Sequence, residues 1–137
     1  MKTIQILTGF FLSALAVQAQ LAVTVSPPKL TGQKAIVPLA MTNHLAEPVE
    51  SARAICFLMD EHGTMVGQSA KWVIGGTKDQ PALQPKNGTT FNFVITSPQP
   101  FTSTNLTTRV SFSRVVLEGG KSANLTKDVI VNEVSPR

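Results

Sequence analysis

The sequence predicts an all-β fold, arranged as a sandwich of two antiparallel sheets. Seven runs of residues with strand-like alternation recur along the chain, and turn residues separate them at short intervals. After residue 20, no window has the periodicity of an amphipathic helix. Seven short strands with this spacing are typical of an immunoglobulin-like sandwich of about 100 residues.

The first two predicted strands cover residues 21–25 and 34–43. Leu21, Val23 and Val25 alternate with smaller or polar residues until Pro27-Pro28 ends the run. The second strand contains Pro38, which has no N–H to donate to a neighbouring strand. We therefore expect this strand to lie at the edge of a sheet or to carry a bulge.

The other five predicted strands cover residues 50–60, 64–74, 89–96, 107–117 and 123–132. Residues 75–88, rich in Gly and Pro, and residues 97–104, which contain Pro98 and Pro100, are predicted loops. In the third strand Cys56 alternates with Ala54 and Leu58, so we expect it to face the core as a small hydrophobe. It is the only cysteine, so the chain can form no intramolecular disulfide bond.

Residues 1–19 have the features of a secretory signal peptide. Lys2 is positive, residues 4–17 are mainly apolar, and Val17-Gln18-Ala19 supplies small residues before a cleavage point. The apolar stretch is shorter and more interrupted than the roughly 20 residues of a membrane span. We expect residues 20–137 to form one exported domain, secreted or periplasmic, with no transmembrane segment.

The charge pattern argues against a nucleic-acid partner. The formal net charge is +4, but the basic residues are scattered and no two are adjacent. The chain has one Trp and no Tyr, whereas proteins that bind single-stranded nucleic acid combine basic grooves with aromatic stacking residues.

Several features between residues 43 and 95 form a recognisable pattern: Asn43, the alternation of Ala52, Ala54, Cys56 and Leu58, Asp60-x-x-Gly63, and Leu83-x-Pro85 before Phe91 and Phe93. This pattern resembles the FxLYD-type domains of secreted bacterial proteins. Those domains are immunoglobulin-like sandwiches without known enzymatic activity, so the resemblance implies that fold. Cys56 and Met59 stand where the name-giving Phe and Tyr would be.

No catalytic site is predicted. The two histidines, His44 and His62, flank the third strand, which would place them about 30 Å apart at opposite ends of the sandwich. A nucleophile needs an adjacent base, and Cys56 in the middle of a strand would have none. We expect a non-enzymatic protein without a cofactor.

One metal site is an alternative prediction. Met59, His62 and Met65 bracket a single predicted hairpin, and thioether and imidazole groups are ligands that copper accepts. The alternative function is therefore a small periplasmic copper carrier. Methionine also fills gaps in apolar cores, which is the structural explanation for the same residues.

A partner-binding surface is predicted from the third and sixth strands. If Ala54, Cys56 and Leu58 point inward, the residues between them point outward. In the sixth strand Val110 and Phe112 suit the core, which places Arg114 inward unless a bulge changes the phase. The outward apolar residues would form one patch: Ile55, Phe57, Met59, Val115 and Leu117. Such a patch is either an interaction site or a second small core beneath a loop.

The function that these features predict is an exported, non-enzymatic module that binds a protein or a component of the cell envelope. Besides the copper carrier, a second alternative is a secreted protease inhibitor that presents residues 75–88 or 97–104. Three Asn-x-Thr sequons, at Asn87, Asn105 and Asn124, could carry glycans if the protein is made in a eukaryote.

We expect the exported protein to begin at Gln20, because Val17 and Ala19 occupy the positions that a signal peptidase reads. N-terminal sequencing or the intact mass of the secreted protein checks this. A secreted protein that keeps residues 1–19 would contradict the prediction.

Overall fold

The computed structural model describes residues 19–77, 80–102 and 105–134. Residues 1–18 of the predicted signal peptide lie outside the described part of the chain. Within it, no helix has the length and hydropathy of a membrane span. The described strands are β1 (Leu21–Val25), β2 (Lys29–Thr31), β3 (Lys34–Asn43), β4 (Val49–Met59), β5 (Met65–Ile74), β6 (Gly88–Thr96), β7 (Thr107–Leu117), β8 (Lys121–Ser122) and β9 (Val129–Glu133).

The strands form two sheets. In the first, β3 pairs with β6 on one side and with β1 and β2 on the other, and β9 pairs with β1. The second has the order β5-β4-β7-β8. All pairs are antiparallel except β1 with β9. The predicted all-β sandwich is confirmed.

The core lies between the two sheets and follows the predicted alternation. Val37, Leu39 and Met41 of β3 and Ala54, Cys56 and Leu58 of β4 are each at most 1% exposed. Phe93 and Ile95 of β6 complete one wall of the core, and Val110 and Phe112 of β7 complete the other. β1, β3 and β4 from Ala52 onward bury every second residue, because the side chains of a strand alternate between the faces of the sheet.

Pro38 lies in a central strand, so the prediction of an edge strand is wrong. β3 has neighbours on both sides, but β1 ends at Val25 and β2 begins only at Lys29. The carbonyl of Pro38 accepts the N–H of Ser26 at 3.0 Å, just before Pro27-Pro28 leads the chain away. The missing N–H of Pro38 therefore faces an interruption in the ladder, where it costs little.

The last predicted strand is wrong over its first half. Residues 123–128 form a turn, and only Val129–Glu133 is a strand. The carboxamide oxygen of Asn124 accepts the N–H groups of Thr126 at 3.0 Å and Lys127 at 3.1 Å. These bonds satisfy the backbone locally, so this segment has no need of a neighbouring strand.

A buried amide joins two loops at one end of the sandwich. Asn43 is fully buried, and its side-chain nitrogen donates to the carbonyl oxygens of Glu47 and Leu83, each at 2.9 Å. Its side-chain oxygen accepts the N–H of Leu45 at 2.9 Å. Because a buried polar group without partners is costly, these bonds hold the loops after β3 and after β5 together.

We predict that Gly75→Ala lowers the free energy of unfolding by at least about 3 kcal/mol, because two penalties add. Gly75 has a φ of +60°, which L-residues rarely adopt, and an added Cβ would overlap the carbonyl oxygen of Glu50. Urea unfolding measures the effect.

Gly32→Ala is the matched control, since Gly32 has a φ of +61° but nothing within 4 Å of the added Cβ. Gly32→Ala should lower the free energy of unfolding by only about 1 kcal/mol, because only the backbone conformation is unfavourable. Equal losses in the two variants would show that the close approach to Glu50 does not constrain this loop.

Candidate functional site

The outer face of the second sheet is the main candidate site. On β4 the buried positions Ala52, Ala54, Cys56 and Leu58 alternate with Arg53, Ile55, Phe57 and Met59, which are all partly exposed. The register places Trp72 and Ala70 of β5 beside this row on one side, and Arg114, Ser111 and Arg109 of β7 on the other. We call the following residues the β4 outer face: Arg53, Ile55, Phe57, Met59, Ala70, Trp72, Arg109, Ser111 and Arg114.

Two residues predicted for this patch lie elsewhere. Val115 is 1% exposed and belongs to the core, and Leu117 is a partly buried residue packed against it. The reason is a bulge: Arg53 is opposite Arg114 and Ala54 is opposite Phe112, so Ser113 is an extra residue. The bulge expected beside Arg114 is therefore present, and it shifts the phase of β7 by one residue.

The central apolar residues of this face remain partly open to solvent. Ile55, Phe57 and Met59 do not belong to the core cluster, nor to the partly buried residues packed against it. All three are of intermediate exposure, between the buried core and the fully exposed surface. The interaction site and the second small core therefore both stay predictions, which the substitutions described below distinguish.

Three arginines border the apolar row. Arg53 and Arg114 are directly opposite each other, and Arg109 is opposite Phe57. Within the described residues, none of the three side chains forms an ion pair, since the salt bridge found there joins Lys121 to Glu47 at 2.6 Å. Arg53 is more than 50 positions from the other two in the sequence, and the pairing of β4 with β7 brings it beside them.

Trp72 closes one end of the β4 outer face. Its side chain lies so close to Gly76 that an added Cβ at Gly76 would approach the ring at 2.6 Å. Gly76 has a φ of +82°, so two constraints favour glycine here. The Trp72 side chain therefore lies close to Gly76, at the start of the β5–β6 loop, and the residue is partly exposed.

Cys56 is fully buried beneath the same face, as predicted. Burial, with a smaller contribution from the negative charge of Glu133, raises the pKa of its thiol to about 12. The carboxylate of Glu133 accepts the backbone N–H of Val110 at 2.9 Å and so bridges β9 to β7. A thiol in this setting stays protonated at neutral pH and is a poor nucleophile.

The β4–β5 hairpin places Met59 directly opposite Met65. His62 lies in the exposed turn between them, and the Asp60 carboxylate accepts the N–H groups of His62 at 2.9 Å and Thr64 at 3.0 Å. Met59 and His62 line different clefts. The copper hypothesis stays a prediction.

The two histidines follow different strands. His44 follows β3 and His62 follows β4, so the length of β4 separates them. No three His, Cys, Asp or Glu side chains within the described part of the chain form a group that could hold a metal ion.

Three open clefts lie among the described residues, with volumes of about 320, 230 and 370 Å³. The first follows the β5–β6 loop, and the third lies between the β4–β5 turn and the loop before β7.

The two loops predicted for protease inhibition include residues 78–79 and 103–104, which lie outside the described residues. The three sequon asparagines are exposed.

The raised pKa of Cys56 predicts an alkaline loss of stability. The thiol of the unfolded chain ionises near pH 9, whereas the folded thiol ionises near pH 12. Folding therefore favours the protonated form, and its contribution is complete below pH 9 and falls as the pH rises towards 12. Urea unfolding at several values between pH 7 and pH 11 measures this fall.

Cys56→Ala is the matched variant, because it removes the titrating group from the same core position. Its free energy of unfolding should decline less steeply above pH 9 than that of the wild-type protein. The chain has no tyrosine to complicate this range. Parallel pH profiles would contradict the burial of the thiol.

No protein-family model matches the chain, and no curated protein sequence matches it. The resemblance to FxLYD-type domains therefore stays a prediction. Among solved structures, the chain is similar to a Bordetella pertussis protein described as ApaA. The TM-score is 0.54 and the identity 17%, and the match covers 78% of this chain and 89% of that protein.

Two further solved structures are more distant. Structural-genomics target SoR45 has a TM-score of 0.49 and 16% identity, covering 80% of this chain and 83% of that one. The CARDB domain of the PF1109 protein from Pyrococcus furiosus, in complex with di-metal ions, has a TM-score of 0.35 and 14% identity, covering 93% and 100%. The similarity to the Bordetella protein shows that this chain has a β-domain fold already seen in a solved structure.

Proposed function

We propose that the protein is an exported, non-enzymatic immunoglobulin-like module that binds a protein or cell-envelope partner through the β4 outer face. The observation that supports this most directly is the apolar row of Ile55 and Phe57, which stays partly open to solvent in the middle of a sheet. Sheet faces that serve no partner are usually polar, and contiguous exposed apolar residues tend to mark interaction sites.

The composition of this face also fits a binding site. Interfaces are enriched in aromatic residues and arginine, and depleted in lysine and glutamate. The β4 outer face has Phe57 and Trp72 beside Arg53, Arg109 and Arg114, and it contains no lysine and no acidic residue. Partly exposed aromatic residues and arginines are the types that most often dominate binding energy.

A non-enzymatic role is supported by the separation of the reactive groups. Cys56 is buried with a raised pKa, and His44 and His62 lie at opposite ends of β4. The N-terminal signal pattern supports export. The copper-carrier and protease-inhibitor alternatives have less support. Met59 and His62 line different clefts, and each of the two loops of the inhibitor hypothesis includes residues outside the described part of the chain.

The proposal predicts that a double change of Ile55 and Phe57 to Ser abolishes partner capture without unfolding the domain. The mature chain, residues 20–137, is immobilised and used to capture partners from envelope and medium fractions of the source organism. The free energy of unfolding should change by about 1 kcal/mol or less, as is usual for substitutions outside the core.

The matched control is a double change of Ile36 and Val94 to Ser. These residues are cross-strand partners on the outer face of the first sheet, and Val94 is 48% exposed. Capture should be unaffected in the control. Equal capture by both variants would remove the β4 outer face from consideration, and loss of several kcal/mol in the Ile55 and Phe57 variant would show a buried second core.

A further inference from the structure

The pairing of Arg53 with Arg114 has an electrostatic cost that the fold does not offset. Directly opposite residues on paired strands have Cβ atoms about 5 Å apart, and like charges in such positions are destabilising. The described residues provide no carboxylate partner for either guanidinium. A neutral substitution of either arginine would relieve this repulsion.

The surrounding charge is also positive. The strands β4, β5 and β7 carry five charged residues, of which one is acidic: Glu50, Arg53, Lys71, Arg109 and Arg114. The carboxylate of Glu50 accepts the N–H of Gly119 at 3.2 Å, beyond the end of β7. Glu133 lines the same cleft as Arg109, but its carboxylate accepts the Val110 N–H and forms no ion pair with Arg109.

The spacing of these charges matches an extended peptide. Arg109 is opposite Phe57, and Arg114 is opposite Arg53, so the two positions are four residues apart along β4. At about 3.3 Å per residue, this separation is about 13 Å. An extended chain presents alternate side chains to one face, so its residues i and i+4 have the same separation. Ile55 lies halfway between, where residue i+2 would be.

The geometry points to an acidic protein segment as the partner, bound in extended conformation along β4. Its carboxylates at positions i and i+4 would bind the Arg53–Arg114 pair and Arg109, and an apolar side chain at i+2 would cover Ile55. This inference rests on the proposed function and specifies the partner of that same face. Carboxylate binding by arginine provides specificity as well as affinity.

The apolar row favours a peptide over other anions. A polyanion such as a nucleic acid would bind mainly through phosphates and through bases stacked on aromatic rings. The aliphatic side chain of Ile55, in the middle of the row, offers a base no ring to stack on and a phosphate no charge to bind. An alternating acidic and apolar peptide uses both the arginines and Ile55.

The inference is tested with three synthetic peptides on the mature chain. The first, Ser-Glu-Ser-Leu-Ser-Glu-Ser, has the proposed spacing; the second has Lys in place of Glu; the third has its two Glu residues adjacent. Binding is followed by calorimetry and by the fluorescence of Trp72, the only tryptophan. The first peptide should bind most tightly, and its affinity should fall as ionic strength rises from about 50 to about 500 mM.

Arg53→Gln, Arg109→Gln and Arg114→Gln should each weaken binding of the first peptide by about tenfold or more, the value of one charge-assisted hydrogen bond. A structural role would lower the thermal midpoint, whereas the repulsion between Arg53 and Arg114 predicts an unchanged or higher Tm for their variants. Lys34→Gln, an exposed cation on the first sheet, is the control and should bind normally.

Three results would overturn the inference: no binding of the first peptide, equal binding of the peptide with adjacent Glu residues, or arginine variants with unchanged affinity. Tighter, arginine-dependent binding of a DNA oligonucleotide, of dextran sulfate or of anionic vesicles would overturn it in favour of another polyanion. If partner capture depends on Ile55 and Phe57 but not on the arginines, the proposed function survives and the acidic peptide does not.

Discussion

The phase of β7 relative to β4 is the constraint on which the second sheet depends. Side chains along a strand alternate strictly, so a single extra residue reverses the face of everything that follows. Ser113 is that residue: before it Val110 and Phe112 enter the core, and after it Val115 does. Without the bulge, Arg114 would face the core and Val115 would face solvent. The bulge thus secures the apolar core and the basic outer face with one change of register.

The strands and the core were largely predictable from the sequence, because alternation needs only neighbouring residues. The burial of Cys56 between Ala54 and Leu58 follows directly from such a pattern. The sequence also indicated that β7 needed a bulge near Arg114, since a charged side chain would otherwise be buried without a partner. The sequence did not indicate where the bulge lies. Because the extra residue is Ser113, Val115 and Leu117 turn towards the core and do not belong to the predicted patch.

Other features depend on pairing between distant segments and could not be predicted locally. Pro38 is compatible with a central strand only because β1 is interrupted opposite it, which depends on Pro27-Pro28 in another strand. The three arginines seemed scattered because more than 50 residues separate Arg53 from Arg109 in the chain. Asn124 provides a local signal that was missed, since its side chain forms the turn that shortens the last strand.

The parallel pairing of β1 with β9 has a consequence for how the chain folds. β1 lies inside the first sheet, between β3 and β9, so the first of the described strands obtains its second neighbour only from the last of them. Contacts of such large sequence separation slow folding because a long loop must close first. Until Val129–Glu133 arrives, the edge of β1 remains unpaired, and an open edge beside buried apolar residues can pair with another chain. The nascent domain is therefore most susceptible to aggregation in the interval before its final strand is added.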